Sequence, residues 1–235
     1  MVHATPPAAA LRLVELGASA GLNLLADRYA HRYGSGVEGF SMLWGAETPL
    51  TPCVTCDCDV DGTLPAARPL RIAQRIGVDL DPMDLEDRVS RRWLEACVWP
   101  EETDRVARLR AAIEIARRDP PRVVRGDGLT LLGELLGGDE VHPVVWHSWV
   151  LAYSTPARQR ALAHSIDALG ARRDLTWIYL ERPSETPGLP TPAVAGVRHD
   201  PDDSALVAVS YREGRRTVQR LADAHPHARH MRWLA

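Results

Sequence analysis

Five short clusters in this 235-residue chain combine acids, glycines, hydroxyls or imidazole at spacings that chemistry can use. Glu15-Leu16-Gly17-Ala18-Ser19-Ala20-Gly21 closes an apolar run with a glycine turn, and Asn23 follows it. Asp79-Leu80-Asp81 and Gly126-Asp127-Gly128 place carboxylates where two further apolar runs stop, and His147-Ser148-Trp149 and Glu181-Arg182 end two more. A glycine pair around a tight turn lets a nucleotide-type cofactor approach the backbone. A carboxylate at the end of a second run can accept both ribose hydroxyls, and an acid after a third can take an adenine amine. His147, Ser148 and Glu181 are the candidate catalytic groups, His147 as a base for a substrate hydroxyl or amine. Neighbours on a strand point to opposite faces, so His147 and Ser148 cannot act as a direct pair and only one of them faces a pocket. The bland alternatives are a core histidine at position 147 and an exposed ion pair at Glu181-Arg182.

Periodicity supplies the elements that must hold these clusters. Leu11 to Leu16 has the apolar content of a buried strand. Leu22, Leu25, Ala26 and Tyr29 then fall on one face of an expected amphipathic helix. From about residue 34 to 70 glycines, prolines and an alternating Cys53 to Val60 run, closed by Asp61-Gly62, predict an inserted β-hairpin with loops. Strands follow at Arg75 to Leu80, Arg122 to Arg125, Pro143 to Val150 and Leu175 to Leu180. Between them lie a helical region broken at Trp99-Pro100, a leucine-rich helix through Leu136, and a helix from about Pro156 to Leu169. In the second half of the broken region Val106, Leu109, Ile113 and Ala116 form the expected buried face. Ala205 to Tyr211 and Thr217 to Leu221 pair around Glu213-Gly214. Strands alternating with helices predict a single α/β domain over residues 1–235, a Rossmann-like, doubly wound, mostly parallel sheet with a C-terminal antiparallel hairpin. In such a sheet ligands bind beyond the carboxyl ends of the strands, which is where all five clusters fall.

Composition narrows the function classes. The chain is 45% hydrophobic and 25% charged, the proportions of a globular protein long enough to bury a core without disulfides or structural metal. A net charge of −3 without a basic stripe gives no strong nucleic-acid signal. All 28 basic residues are arginine, which removes lysine nucleophile and Schiff-base chemistry. Apolar runs fall short of the roughly 20 residues of a membrane helix, and the first ten residues lack a signal peptide's positive region. The expected setting is therefore cytoplasmic, with no membrane partner, a small-molecule substrate and reduced cysteines.

On these residues the chain resembles the class I S-adenosylmethionine-dependent methyltransferases. Glu15 to Gly21 looks like their first motif, Gly77-Val78-Asp79-Leu80-Asp81-Pro82 like the ribose-binding second, and Gly126-Asp127-Gly128 like the adenine-binding third. The resemblance implies that S-adenosylmethionine is the cofactor. Gly17, Ala18 and Gly21 would line its methionine end, Asp79 its ribose, Leu80 the adenine face and Asp127 the adenine amine. Glu15, Ser19, Asn23, Asp81, Gly126 and Gly128 complete the implied cofactor-binding set. Ser19 departs from the family's usual middle glycine. More narrowly, the wording of Glu15 to Leu24, with Ala96 to Glu101 and His147 to Leu151, resembles the bacterial domain-of-unknown-function family 2332. Members of that family carry a helical N-terminal region ahead of the glycine turn, where this chain has about ten residues.

Three other readings share these residues. Gly17-Ala18-Ser19-Ala20-Gly21 satisfies the G-x-S-x-G elbow of serine hydrolases, with His199, His225, His227 and His230 downstream as possible bases. A nicotinamide site lacks the G-x-G-x-x-G spacing. A regulatory protein that binds the cofactor without turnover is the non-enzymatic alternative. Cys53, Cys56 and Cys58 offer a C-x-x-C-x-C cluster, but without a second pair they read as strand cysteines and no metal is expected.

Overall fold

The computed structural model describes residues 5–6, 9–35, 39–45, 54–66, 69–138 and 141–235. Its strands are β1 (Ala10–Leu16), β2 (Ala30–Ser35), β3 (Gly39–Gly45), β4 (Thr55–Asp61), β5 (Arg71–Asp79), β6 (Arg122–Arg125), β7 (His142–Ser148), β8 (Leu175–Glu181), β9 (Ser204–Arg212), β10 (Arg215–Ala224) and β11 (His230–Trp233). The helices are α1 (Arg88–Ala96), α2 (Thr103–Arg118), α3 (Gly128–Leu135) and α4 (Pro156–Gly170). All described strands join one sheet in the order β3-β2-β4-β11-β10-β9-β8-β7-β1-β5-β6. The stretch β6-β5-β1-β7-β8 is parallel throughout. Counted in chain order it reads 3-2-1-4-5, the order of a doubly wound Rossmann-like sheet. The chain first moves outward from β1 and then returns to β1's other side, so the switch point lies at the carboxyl ends of β1 and β7.

Why these strands sit centrally follows from their composition. In β1, Leu11 and Leu13 pack on one face with Leu24, Val144 and Ile178, while Val14 and Leu16 pack on the other, as the two-residue period requires. In β8, Leu175, Trp177 and Tyr179 join the second face, which α3 and α4 cover through Leu132, Leu135, Leu162 and Ile166. Strands buried on both faces read as near-continuous apolar runs. Asp127 caps α3 by accepting from Leu129 N–H, and Thr155 caps α4 by accepting from Arg158 N–H.

Four expectations change. Residues Leu22–Arg28 form a 3-10 helix broken at Leu25 rather than an amphipathic α-helix. Adjacent Leu24 and Leu25 are both fully buried, in different clusters, and a single α-helical stripe cannot serve two directions at consecutive positions. A hairpin follows, but it is β2–β3. The run containing Cys56 and Cys58 is a separate strand, β4, parallel to both β2 and β11. The region from about 34 to 70 thus extends the main sheet. Beyond the expected β9–β10 hairpin, β11 adds an edge partner to β10; its four residues are too short for a periodicity signal. In α2 the buried face is Ala112, Ile113, Ile115 and Ala116, shifted because the helix packs with Leu25, Tyr29 and Val54. Cys53 lies outside the described residues. Among the described residues no helix is long and apolar enough to cross a membrane, and no group of three or more His, Cys, Asp or Glu is placed to hold a metal ion.

Candidate functional site

At the switch point β1 ends in a turn whose backbone is tied inward. Gly17 N–H and Ala18 N–H both donate to Val78 O, at 2.9 and 3.2 Å, and Gly21 N–H donates to Ala18 O at 2.7 Å. Ser19 N–H donates to Asp79 Oδ2 at 2.7 Å, and Asp81 N–H to Asp79 Oδ1 at 2.9 Å. Asp79 therefore joins the ends of β1 and β5 and keeps free lone pairs on both oxygens. Gly17 and Ser19 take left-handed conformations, φ 67° and 51°. Glycine adopts this freely, and serine adopts it at a cost of about 1–2 kcal/mol. A Cβ on Gly17 would lie 2.5 Å from Val150 Cγ2. The space that glycine leaves is filled by protein, so at this position the residue serves packing in this structure.

Leu80 follows Asp79 directly and is 70% exposed, a large apolar side chain beside a carboxylate at a strand end. Arg125 pairs with Asp81 at 2.7 Å. Asp127 accepts from Leu129 N–H and is paired with Arg158 of α4 at 2.8 Å. That ion pair, helped by the capping hydrogen bond, holds its carboxyl below the ordinary range. Gly126 and Gly128 flank it, the latter against Leu16 and Val78.

Behind the turn, Glu15 is 3% exposed. Its Oε1 accepts from Asn23 Nδ2 at 3.1 Å, while Oε2 is buried without a partner. Burial pushes this carboxyl up to about 8; the Asn23 hydrogen bond opposes the shift and nearby Asp79 adds to it. Glu15 consequently keeps its proton at neutral pH.

His147 is 1% exposed. Trp177 Nε1–H donates to His147 Nε2 at 3.1 Å, and His147 Nδ1 lies 2.8 Å from Glu181 Oε1. An indole nitrogen can only donate, so the imidazole proton sits on Nδ1 and points at Glu181. Both ring nitrogens are used internally, which is the arrangement of a core histidine, although its partners are side chains and not the backbone. Glu181 is likewise buried and does not pair with Arg182. Its Oε1 also accepts from Val150 N–H and Leu151 N–H, at 2.9 and 3.0 Å. Burial raises this carboxyl, but the bonds from His147, Leu151 and Val150 outweigh it and leave it below its ordinary value. Together these bonds fix the segment after β7, where Trp149 takes φ 56°, an uncommon conformation for a bulky residue. Arg182 pairs with Glu185 and lies over the Trp149 ring, 5.0 Å from its centroid. Ser148 is half-buried.

The structure thus brings Glu15, Gly17, Ala18, Ser19, Gly21, Asn23, Asp79, Leu80 and Asp81 together around the β1–β5 junction. Gly126, Asp127 and Gly128 form the adjoining β6 end, and His147 and Glu181 withdraw beneath the floor. Trp177, Val150 and Arg158 carry parts of this architecture and had no sequence signal, since each acts through a partner distant in the chain. Among the described residues no hydrogen bond joins Ser19 to a histidine. His147 is committed elsewhere, His199 lies at Asp223, and His230 lies 3.7 Å from Asp203 with the His225 ring tilted against it, 5.3 Å between centroids. Two clefts lie away from the switch point, one over β4 and β11, the other between β4 and α2.

A parallel sheet with a left-handed glycine turn after its first strand and an acid at the end of the second defines an α/β protein of Rossmann-like type. The chain belongs to the bacterial family described as "Uncharacterized protein conserved in bacteria (DUF2332)", which it matches over residues 1–233. No curated protein and no solved structure matches it.

Proposed function

We propose that the chain binds S-adenosylmethionine at the carboxyl ends of β1, β5 and β6 and transfers its methyl group to an oxygen or nitrogen of a small molecule. The observation that carries this reading is the Asp79-Leu80 pair, a carboxylate with free lone pairs next to an exposed leucine, at the strand adjoining the glycine turn. These residues fit an adenosine: Asp79 would hold the ribose hydroxyls, Leu80 would cover the base, and Asp127 keeps acceptor capacity for the adenine amine. The methionine end fits less well, because Val150 fills the space beside Gly17; the Trp149–Val150 segment closes it here. Bound cofactor would supply an electrophilic methyl group, so the protein's task is alignment of acceptor and methyl. His147, with both nitrogens engaged, positions Glu181 and the segment after β7 instead of moving substrate protons. The turn's N–H groups at Gly17, Ala18 and Ser19 are spent within the protein, which argues against a pyrophosphate cradle and hence a nicotinamide dinucleotide. A cytoplasmic setting goes with this reading.

Isothermal titration with S-adenosylhomocysteine, S-adenosylmethionine and NAD tests it. Micromolar binding of the first two alone, lost in Asp79→Ala, is the expected result; no binding of either to folded protein would end it. A broad panel of methyl acceptors then separates an enzyme from a binding protein without turnover. The left-handed Ser19 at a strand-to-helix turn favours the hydrolase reading as a second possibility. Labelling of Ser19 by a fluorophosphonate would support that reading, and no labelling would remove it.

A further inference from the structure

A cleft of about 770 Å3 lies between the β4–β11 seam and the segment joining β8 to β9. That segment, residues 182–203, runs 22 residues without helix or strand, a length at which connections in compact folds are usually functional. It delivers Arg198 and His199 to the cleft, which Asp59 and Asp61 of β4 and His230 and Arg232 of β11 also line. Pairing of Asp61 with Arg232 and of Arg232 with Asp223 in the sheet puts these three side chains in one row on one face.

Asp223, 1% exposed, is the hub of this row. It accepts from Arg220 Nε at 2.7 Å and from Arg232 at 3.0 Å. Asp200 and Asp203 of the crossing segment also line the cleft, and two guanidinium groups, Arg220 and Arg232, surround Asp223. Arg198 adds a further guanidinium, which makes no hydrogen bond or ion pair among the described residues. The buried atoms left without partners point to what the cleft would hold. Arg220 also contacts His199 Nδ1, which lies 3.3 Å from Asp223 Oδ1. His199 Nε2 and Arg232 Nε are both buried without partners. Both belong to residues lining the cleft, and the guanidinium nitrogen can only donate. On the β4 side of the same face, Asp59 and Asp61 are exposed carboxylates without side-chain partners among the described residues.

We propose that this cleft is a second ligand site, for a small bipolar molecule that carries a phosphate or carboxylate at one end and an amine at the other. Arg198, His199 and Arg232 hold the oxyanion, and Asp59 and Asp61 take the amine. Five strands separate β11 from β5, about 30 Å at the usual strand spacing, so the site is distinct from the β1–β5 junction and stands or falls independently of the cofactor reading.

Calorimetric titration of the full chain with O-phosphoethanolamine and with 4-aminobutanoate tests it, with inorganic phosphate, butanoate and ethanolamine as half-ligands. Saturable binding of a bipolar probe, tighter than either of its halves, is expected, and the preferred probe tells phosphate from carboxylate. Arg198→Ala should weaken it by about tenfold to a hundredfold, the worth of a charge-assisted hydrogen bond. Asp59→Asn with Asp61→Asn should remove the advantage over the anion alone. Neither change touches a side chain with a structural partner, and circular dichroism verifies the fold. Asp79→Ala should leave this binding unaltered. No saturable binding of either bipolar probe, binding unchanged in both variants, or ethanolamine binding as tightly as the bipolar probes would overturn the proposal.

Discussion

Replacing Glu15 with Gln isolates one buried carboxyl whose protonation is coupled to folding. In the folded chain the group is held neutral up to about pH 8, against an ordinary value of 4.5, because burial disfavours its charged form. The unfolded chain loses this proton near the ordinary value, so between the two the native state binds more protons and stability falls as pH rises. The contribution is fully present below 4.5 and is lost as pH climbs through about 8. At about 1.4 kcal/mol per tenfold change in proton affinity, the whole span corresponds to roughly 5 kcal/mol. The group is almost wholly buried, so solvent screening does not reduce that figure much. Gln keeps an oxygen to accept the Asn23 bond and cannot ionise. Urea unfolding of both proteins, followed by circular dichroism from about pH 5 to about pH 9, should give a wild-type minus variant difference that falls by about 1.4 kcal/mol per pH unit until it levels near pH 8. Groups common to both proteins cancel in that difference. A difference that stays flat across the range would show that Glu15 ionises normally and would refute the reasoning from burial.

Further predictions concern the same junction and the sheet behind it. Asp79→Ala removes the acceptor for Ser19 N–H and Asp81 N–H and should cost about 2–3 kcal/mol in urea unfolding while abolishing S-adenosylhomocysteine binding; retained binding would remove the ribose assignment. Ser19→Gly relieves a left-handed serine and should stabilise the chain by about 1 kcal/mol, whereas an unchanged midpoint would mean the turn is not strained. Trp177→Phe leaves His147 Nε2 buried without its donor and should cost about 1–3 kcal/mol, read as a lower unfolding midpoint. His142 is pushed down to about 4, first by burial and then by Arg212, so its contribution is present above 6.5 and lost as pH falls towards 4. His142→Gln should flatten the acid side of the stability profile, and an unaltered acid limb would contradict that assignment.

Much of the fold was legible because the central strands are buried on both faces. Leu11 to Leu16 and Leu175 to Leu180 announce themselves as apolar or β-branched runs between turn residues, and the observed strands fall on them. Asp127 and Thr155 cap α3 and α4 through neighbours two or three positions away. What local pattern could not convey is the path of the chain after Gly21. Leu24 and Leu25 serve two different clusters, and that demand, set by the sheet below and by α2 behind, overrode the helical spacing. The parallel pairing of β4 with β2 and β11 is likewise a long-range choice. Each strand alone is as compatible with a local hairpin.

The chemistry divides along the same line. By itself the sequence determined which residue types stand at the strand ends, because turns demand glycine and aspartate there and apolar runs must stop somewhere. The parallel pairing of β1 with β5 is what sets Asp79 and Leu80 beside the glycine turn. Only the tertiary structure decided which of those groups remain available. Trp177 and Glu181 consume both nitrogens of His147, Val150 fills the space that Gly17 opens, and Arg158 claims one oxygen of Asp127. The bipolar cleft at β11 was invisible for the same reason, since Asp61, Arg198, Arg232 and Asp223 are far apart in the chain and meet only through sheet register and one long crossing segment. Hydrogen-bond partners and burial are properties of neighbours in space, and no local pattern of residues encodes them.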